Sequence, residues 1–235
     1  MDLEHFIAQL PRGDLWVFGY GSLMWSPGFS YKDKSPARAH GYHRALCILS
    51  TRYRGTRRKP GLVMGLCRGG SCWGMVFRVQ AGRVRNALLK LWEREMPRRV
   101  YAPRLLRVAL PTGRHVRALA FLADPTHPAY VRELDLHGRA RLVAQGIGQR
   151  GRCVDYIRNT LDEMSQVGVH DPHLERVLHA ALALRGQAVS DSGGLCDAEV
   201  PVAERQPEAT AARDLLPRRA SASARRRAGN AASRS

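Results

Sequence analysis

The chain has 235 residues, 44% hydrophobic and 25% charged, which fits a globular domain with room for one sizeable core. Its net charge of +18 invites a nucleic-acid reading, yet only four of the 38 basic residues are Lys (32, 34, 59 and 90), and the Arg skew runs through the whole chain. No basic helix with heptads, aromatic RNA-binding strand or zinc-finger spacing accompanies it, and no apolar run reaches the ~20 residues of a membrane span.

Residues 1–12 lack the basic-then-apolar order of a secretory signal. Leu15 to Phe18 reads as a short strand running into a Gly-rich turn, Gly19-Tyr20-Gly21-Ser22-Leu23-Met24. Gly19 and Gly21 are expected to take backbone angles closed to other residues and to let the chain approach a ligand. Two readings fit this turn: an ordinary strand end, or a loop whose N–H groups converge on a carboxylate or oxyanion. Ser22 lacks the following Gly of a nucleophile elbow, and Met24 stands where a dinucleotide fingerprint needs its third Gly.

Residues 37–50 alternate and then turn continuously apolar, as a strand entering a core does. Residues 51–60 form a basic loop. Gly61–Cys67 and Cys72–Val79 read as a β-hairpin turning at Arg68-Gly69-Gly70-Ser71. Helical spacing takes over at Arg83–Met96 and stops at Pro97. A second strand pair follows, Leu105–Leu110 and Val116–Leu122, turning at Pro111-Thr112-Gly113. Residues 124–138 read as loop with a short helix. Two helices close the ordered part, Arg152–Val167 and His173–Arg185, the second capped by Asp171-Pro172.

This order gives an α+β arrangement, with a small barrel as one form of it, rather than alternating βαβ units. Residues 1–186 make one domain, and 187–235 read as a disordered Ala/Ser/Arg-rich tail. The tail carries eight Arg and six acids, so it is not the source of the charge.

Five cysteines (47, 67, 72, 153 and 196) form an odd set without CxxC spacing, which points to a reducing compartment and away from zinc. The nine His show no metal-ligand spacing, so no metal is expected. Cys47 and Cys67 lie in apolar runs and read as core residues.

The chemical clue is in the first long helix. At about 100° per residue, Leu88, Trp92, Glu95 and Met96 share one side with Leu91 beside them, while Glu93 falls opposite. A carboxylate in an apolar stripe is costly unless paired. Burial would raise the pKa of Glu95 towards neutrality, which suits a group that takes and gives protons. The competing reading is a helix-end Glu paired with Arg94, Arg98 or Arg99. Tyr101 is placed either to bond such a carboxylate or substrate, or simply to open the next strand.

These residues also carry a resemblance. Val17-Phe18-Gly19-Tyr20-Gly21-Ser22-Leu23-Met24-Trp25 with Pro27-Gly28-Phe29 is similar to the N-terminal signature of the ChaC family, glutathione-specific γ-glutamylcyclotransferases. Arg54-Gly55-Thr56 with Lys59-Pro60-Gly61, Gly69–Gly74 running into Phe77-Arg78-Val79, and Arg94-Glu95-Met96 with Tyr101 and Pro103 resemble it too. So do Gly148, Gly151, Cys153, Asp155 and Tyr156, and order and spacing agree over roughly residues 14–185.

The resemblance implies a small mixed β-barrel flanked by helices and no cofactor. It implies cleavage of glutathione to 5-oxoproline and cysteinylglycine. A cytoplasmic location, no membrane and no specific nucleic-acid partner are the expectations from the cysteines, the lack of an apolar span and the lack of a binding module. The resemblance puts the acid/base glutamate on Glu95 and the substrate-holding loop on Gly19, Tyr20, Gly21, Ser22, Leu23 and Met24. Arg54 and Tyr101 are further candidates for holding substrate. Pro97-Arg98-Arg99-Val100 departs from the pattern, since many relatives carry Gly there. A cyclotransferase for other γ-glutamyl amines and a basic non-catalytic nucleic-acid-binding protein are the alternatives.

Overall fold

The computed structural model describes residues 2–191. Five strands close into a barrel in the order β1-β3-β2-β4-β5. The two longest, β2 (Asp33–Ser50) and β3 (Gly61–Val79), pair antiparallel from Asp33↔Arg78 to Ser50↔Gly61. β1 (Leu15–Gly19) lies antiparallel on the far end of β3, from Leu15↔Val79 to Gly19↔Met75. β4 (Tyr101–Ala109) and β5 (His115–Ala123) form the expected hairpin. β4 meets β2 at Arg38↔Ala109, and β5 runs parallel to β1 at Trp16↔Ala118, which closes the barrel.

The hairpin expected at residues 61–79 is absent. β3 runs straight through Arg68-Gly69-Gly70-Ser71, because β2 is long enough to bond both halves. Gly69 and Gly70 have φ of 97° and 71°, opposite Gly41 at 80°, and the register jumps there from His40↔Ser71 to Tyr42↔Arg68. Left-handed glycines that serve a tight turn equally serve a bulge that bends a long strand.

Successive residues of the strands are buried on opposite faces, as a period of two dictates. Phe18, Leu62, Met64, Leu66 and Val76 pack with Val143, Tyr156, Ile157 and Val177 from α3 (Leu136–Gln145), α4 (Cys153–Gln166) and α5 (Pro172–Asp191). Val17, Met75, Phe77, Leu119 and Phe121 pack instead with Phe6, Leu88 and Leu91 from α1 (Leu3–Ala8) and α2 (Val84–Glu95).

Helix α3 begins in the stretch expected to hold loop and a short helix and runs on to Gln145, past the end of that expectation. Asp135 caps it, accepting from the Gly138 N–H at 2.7 Å, so Gly138 sits in the first turn, where the cap holds it. The capping expected at Asp171 is present, Oδ1 accepting from Leu174 N–H at 3.1 Å. The last helix continues past Arg185 to Asp191. The rest of the 187–235 tail lies outside the described residues. No helix among the described residues is long and apolar enough to cross a membrane.

Candidate active site

A cleft of about 810 Å³ opens beside the end of α2. It lies between the loop after β1, the loop after β2 and a two-residue hairpin, β6 (Ile147–Gly148) with β7 (Gly151–Arg152). Glu95 is the last residue of α2, and its side chain is only 16% exposed. Burial raises the carboxyl pKa; the nearby charges of Arg94 and then Arg150, with a hydrogen bond from Arg94, pull the other way without cancelling it. Glu93, two residues earlier, is exposed at the rim.

Arg94 binds four acceptors with one guanidinium. Its Nε lies 3.0 Å from Glu95 Oε1, and its Nη2 donates to Ser22 Oγ at 2.8 Å. Nη1 donates to the carbonyls of Ser26 and Pro27. The end of α2 is thereby tied to the loop after β1. Because Ser22 Oγ accepts from Arg94, its own hydroxyl proton remains available to a ligand.

Within Gly19–Met24, Ser22 lines the cleft and the other five positions do not. Tyr20 is buried, donating from its hydroxyl to the Phe121 carbonyl at 2.6 Å. Its own carbonyl accepts from Arg44, whose guanidinium also donates to Trp73 O at 2.7 Å. Leu23 and Met24 are core. The loop coils: Met24 N–H donates to Gly21 O at 2.8 Å and Ser26 N–H to Ser22 O at 2.9 Å. The N–H groups of Ser22 and Leu23, at the start of this coil, have no backbone acceptor among the described residues.

The glycines here serve space, not angle. Neither Gly19 nor Gly21 has a positive φ. A Cβ on Gly21 would meet the Tyr156 hydroxyl at 2.9 Å, and one on Gly19 would meet Leu23 Cβ at 2.9 Å.

Arg54 is 8% exposed and lies between two rings, 5.4 Å from the centroid of Tyr156 and 5.9 Å from that of Trp25. Its Nη1 donates to Arg152 O at 3.3 Å, and no carboxylate among the described residues forms an ion pair with it. Burial lowers its pKa, the expected response of an uncompensated cation. Backbone holds it in place: Gly55, Gly61 and Gly146 pack so closely around residue 54 that a Cβ on any of them would strike main chain.

Tyr101 and Tyr156 both bond to the main chain of one residue, Met64. Tyr101 donates to Met64 O at 2.9 Å, and Met64 N–H donates to the Tyr156 hydroxyl at 3.2 Å. Both rings line the cleft. The hydroxyl of Tyr101 therefore bonds to backbone and not to Glu95.

The structure brings Ser22, Arg54, Glu95 and Tyr101 to one cleft. It adds residues that sequence reasoning missed as site members: Trp25, Tyr53, Arg94, Arg150 and Tyr156. Arg150 stacks on Tyr53, 4.2 Å from the ring centroid, and its N–H donates to Tyr53 O at 2.9 Å. A signal for Tyr156 was present in the segment Gly148–Tyr156, but nothing along the chain shows that this segment docks against residues 52–55.

Fold and cleft define a γ-glutamylcyclotransferase-like barrel. A crystal structure of the glutathione-specific γ-glutamyl cyclotransferase from yeast has the same fold, with a TM-score of 0.69 at 19% identity over 75% of this chain and 99% of that one. The sequence matches the family described as ChaC-like protein over residues 15–183. It is 33% identical over 180 residues to the glutathione-specific gamma-glutamylcyclotransferase of Escherichia coli (strain K12), covering 77% of this chain and 78% of that one. The human glutathione-specific gamma-glutamylcyclotransferase 1 is 32% identical over 184 residues, 74% of this chain and 83% of that one. The chain belongs to the ChaC family.

Proposed function

We propose that the protein cleaves glutathione to 5-oxoproline and cysteinylglycine, with Glu95 as general acid and base. The observation that carries this reading is the Glu95 carboxyl, held above its ordinary pKa by burial at the edge of a cleft otherwise rich in cations.

The γ-glutamyl α-amine is an ammonium at neutral pH and must lose a proton before it can attack. Glu95, ionised, accepts that proton. The freed amine attacks its own γ-carbonyl carbon and a tetrahedral intermediate forms. Glu95 returns the proton to the cysteinyl nitrogen as the amide C–N bond breaks, and the second proton on the attacking nitrogen passes to solvent, leaving a neutral five-membered lactam and a free amine. Nucleophile and electrophile belong to one molecule, so the protein chiefly has to hold the reactive conformer.

The N–H and hydroxyl of Ser22 hold the γ-glutamyl carboxylate or the developing oxyanion. Arg54, buried without an acid, receives the glycine carboxylate across the cleft. The family relatives, named as acting on glutathione, support the substrate.

The test is 5-oxoproline release from glutathione, followed by mass spectrometry, with Glu95→Gln beside wild type. Gln keeps the shape of Glu and cannot carry the proton, so a folded variant should be inactive. Near-normal turnover by Glu95→Gln would remove Glu95 from the mechanism. Competition between glutathione and γ-glutamyl amino acids separates this substrate from other γ-glutamyl amines.

A further inference from the structure

Cys47 on β2 and Cys67 on β3 approach one another, Sγ to Sγ 3.6 Å. Gly65 lies beside them. A Cβ there would fall 2.7 Å from Cys47 Sγ, so the missing side chain leaves the notch that the sulfur occupies. Cys47 itself stands where the β2–β3 register shifts, between Leu46 and Ile48, and is outside the regular ladder. Tyr130, bridged to Ile48, brings its hydroxyl to 3.6 Å from Cys67 Sγ.

Cys67 Sγ thus has two polar neighbours able to donate to it, the Cys47 thiol and the Tyr130 hydroxyl. Both favour its thiolate, Cys47 the more strongly, and draw Cys67 well below the ordinary thiol range while Cys47 is pushed above it. Cys67 is partly exposed, whereas Cys47, Cys72 and Cys153 are buried. The proposed mechanism uses none of these sulfurs.

We propose that Cys47 and Cys67 are a redox-active dithiol that a small-molecule disulfide oxidises, and that its closure shifts one wall of the catalytic cleft. The Cys67 thiolate attacks one sulfur of glutathione disulfide; that S–S bond breaks and one glutathione thiolate leaves. Cys47 gives its proton to solvent and attacks Cys67 Sγ, and the second glutathione thiolate leaves. The protein pair loses two electrons and the small disulfide becomes two thiols. Forming an S–S bond of about 2.05 Å brings the sulfurs about 1.5 Å closer. Because Cys67 stands opposite His43, four residues before Cys47 on β2, closure also draws backbone along the ladder, with the bulge at Cys47 as the place where β2 gives. In a reducing compartment such a pair is a reversible switch rather than a structural staple.

The coupling runs through the bulge. Ile48 and Leu49, the next two residues, line the cleft, and Leu49 N–H donates to Ala129 O at 2.8 Å, another lining residue. Cys47 O accepts from Val131 N–H at 2.8 Å, so displacement at Cys47 is passed to β2 and to the 129–131 segment beside it. This second part rests on the cyclotransferase reading; the disulfide itself does not.

Full-length protein is incubated with glutathione disulfide and peptide-mapped without reduction. The expected product is a Cys47–Cys67 crosslink that dithiothreitol releases. Cys47→Ser is expected to stop at a mixed disulfide on Cys67, and Cys67→Ser to leave Cys47 unmodified, with thermal melts confirming that both variants fold. No crosslink in folded wild type, or one joining Cys67 to Cys196, overturns the pairing. On the same samples, oxidised wild type is expected to lose 5-oxoproline release that reduction restores, and Cys67→Ser to be indifferent to the oxidant. Full turnover by crosslinked protein overturns the coupling. Absence of turnover in the reduced protein sinks the cyclotransferase reading alone, because the crosslink is read by mass.

Discussion

Replacing Arg94 with Met separates two jobs that one guanidinium performs. Arg94 holds the loop after β1 through Ser22, Ser26 and Pro27, and it also lies 3.0 Å from the Glu95 carboxylate. The first job bears on substrate geometry and has no reason to depend on pH. The second opposes the upward push of burial on Glu95. With Arg94 gone, that push is less opposed, the folded-state pKa of Glu95 rises further, and the ionised base is lost at a higher pH. A charge-assisted hydrogen bond is worth about 1.5–3 kcal/mol, which corresponds to about 10- to 100-fold in protonation equilibrium. The acid limb of the kcat/KM profile for 5-oxoproline release should therefore move up in pH. Below the limb Arg94→Met should lose that factor beyond its pH-independent loss; above it, only the pH-independent loss remains. Ser22→Ala is the control, since it removes one loop contact and leaves the Arg94–Glu95 pair. Its loss should be even across pH. A wild-type to Arg94→Met ratio that stays constant from the acid limb to the plateau would refute the electrostatic role.

Arg54→Met should raise KM for glutathione by about tenfold or more, the worth of a lost charge-assisted bond, while leaving the ligand-free protein at least as resistant to urea as wild type. A less stable variant with unchanged KM would show Arg54 to be structural. Gly21→Ala puts a Cβ 2.9 Å from the Tyr156 hydroxyl and should cost about 1–3 kcal/mol in denaturant unfolding, part of which a second change, Tyr156→Phe, should recover. Additive effects of the two changes would refute the clash. Arg99 adopts φ 52°, left-handed backbone that favours glycine. Arg99→Gly should therefore stabilise by about 0.5–1 kcal/mol, strain relieved less the entropy of glycine, and a lower melting temperature would contradict this.

Periodicity along the chain was enough for the α+β class and for strands β1, β4 and β5, because side-chain alternation and turn residues are local properties. It also put Glu95 on the apolar side of its helix, since a helical wheel needs only 3.6 residues per turn. It misread Gly69-Gly70: positive φ serves a turn and a bulge alike, and only the presence of β2 alongside both halves of β3 makes it a bulge. It did not carry the helix α3 past residue 138, because whether Gly138 is tolerated in a first turn depends on Asp135 standing three residues before it as a cap. Resemblance to a family marked segments around residues 54, 95 and 148–156 without saying that they meet. Their meeting is tertiary. Arg54 acquires its meaning when Trp25 and Tyr156 close over it and no acid does, and the Gly-rich loop acquires its meaning when Arg94 reaches it from a helix some 70 residues away. Local sequence sets what each segment becomes; which buried charge lacks a partner is decided only when the barrel closes and distant segments share one cleft.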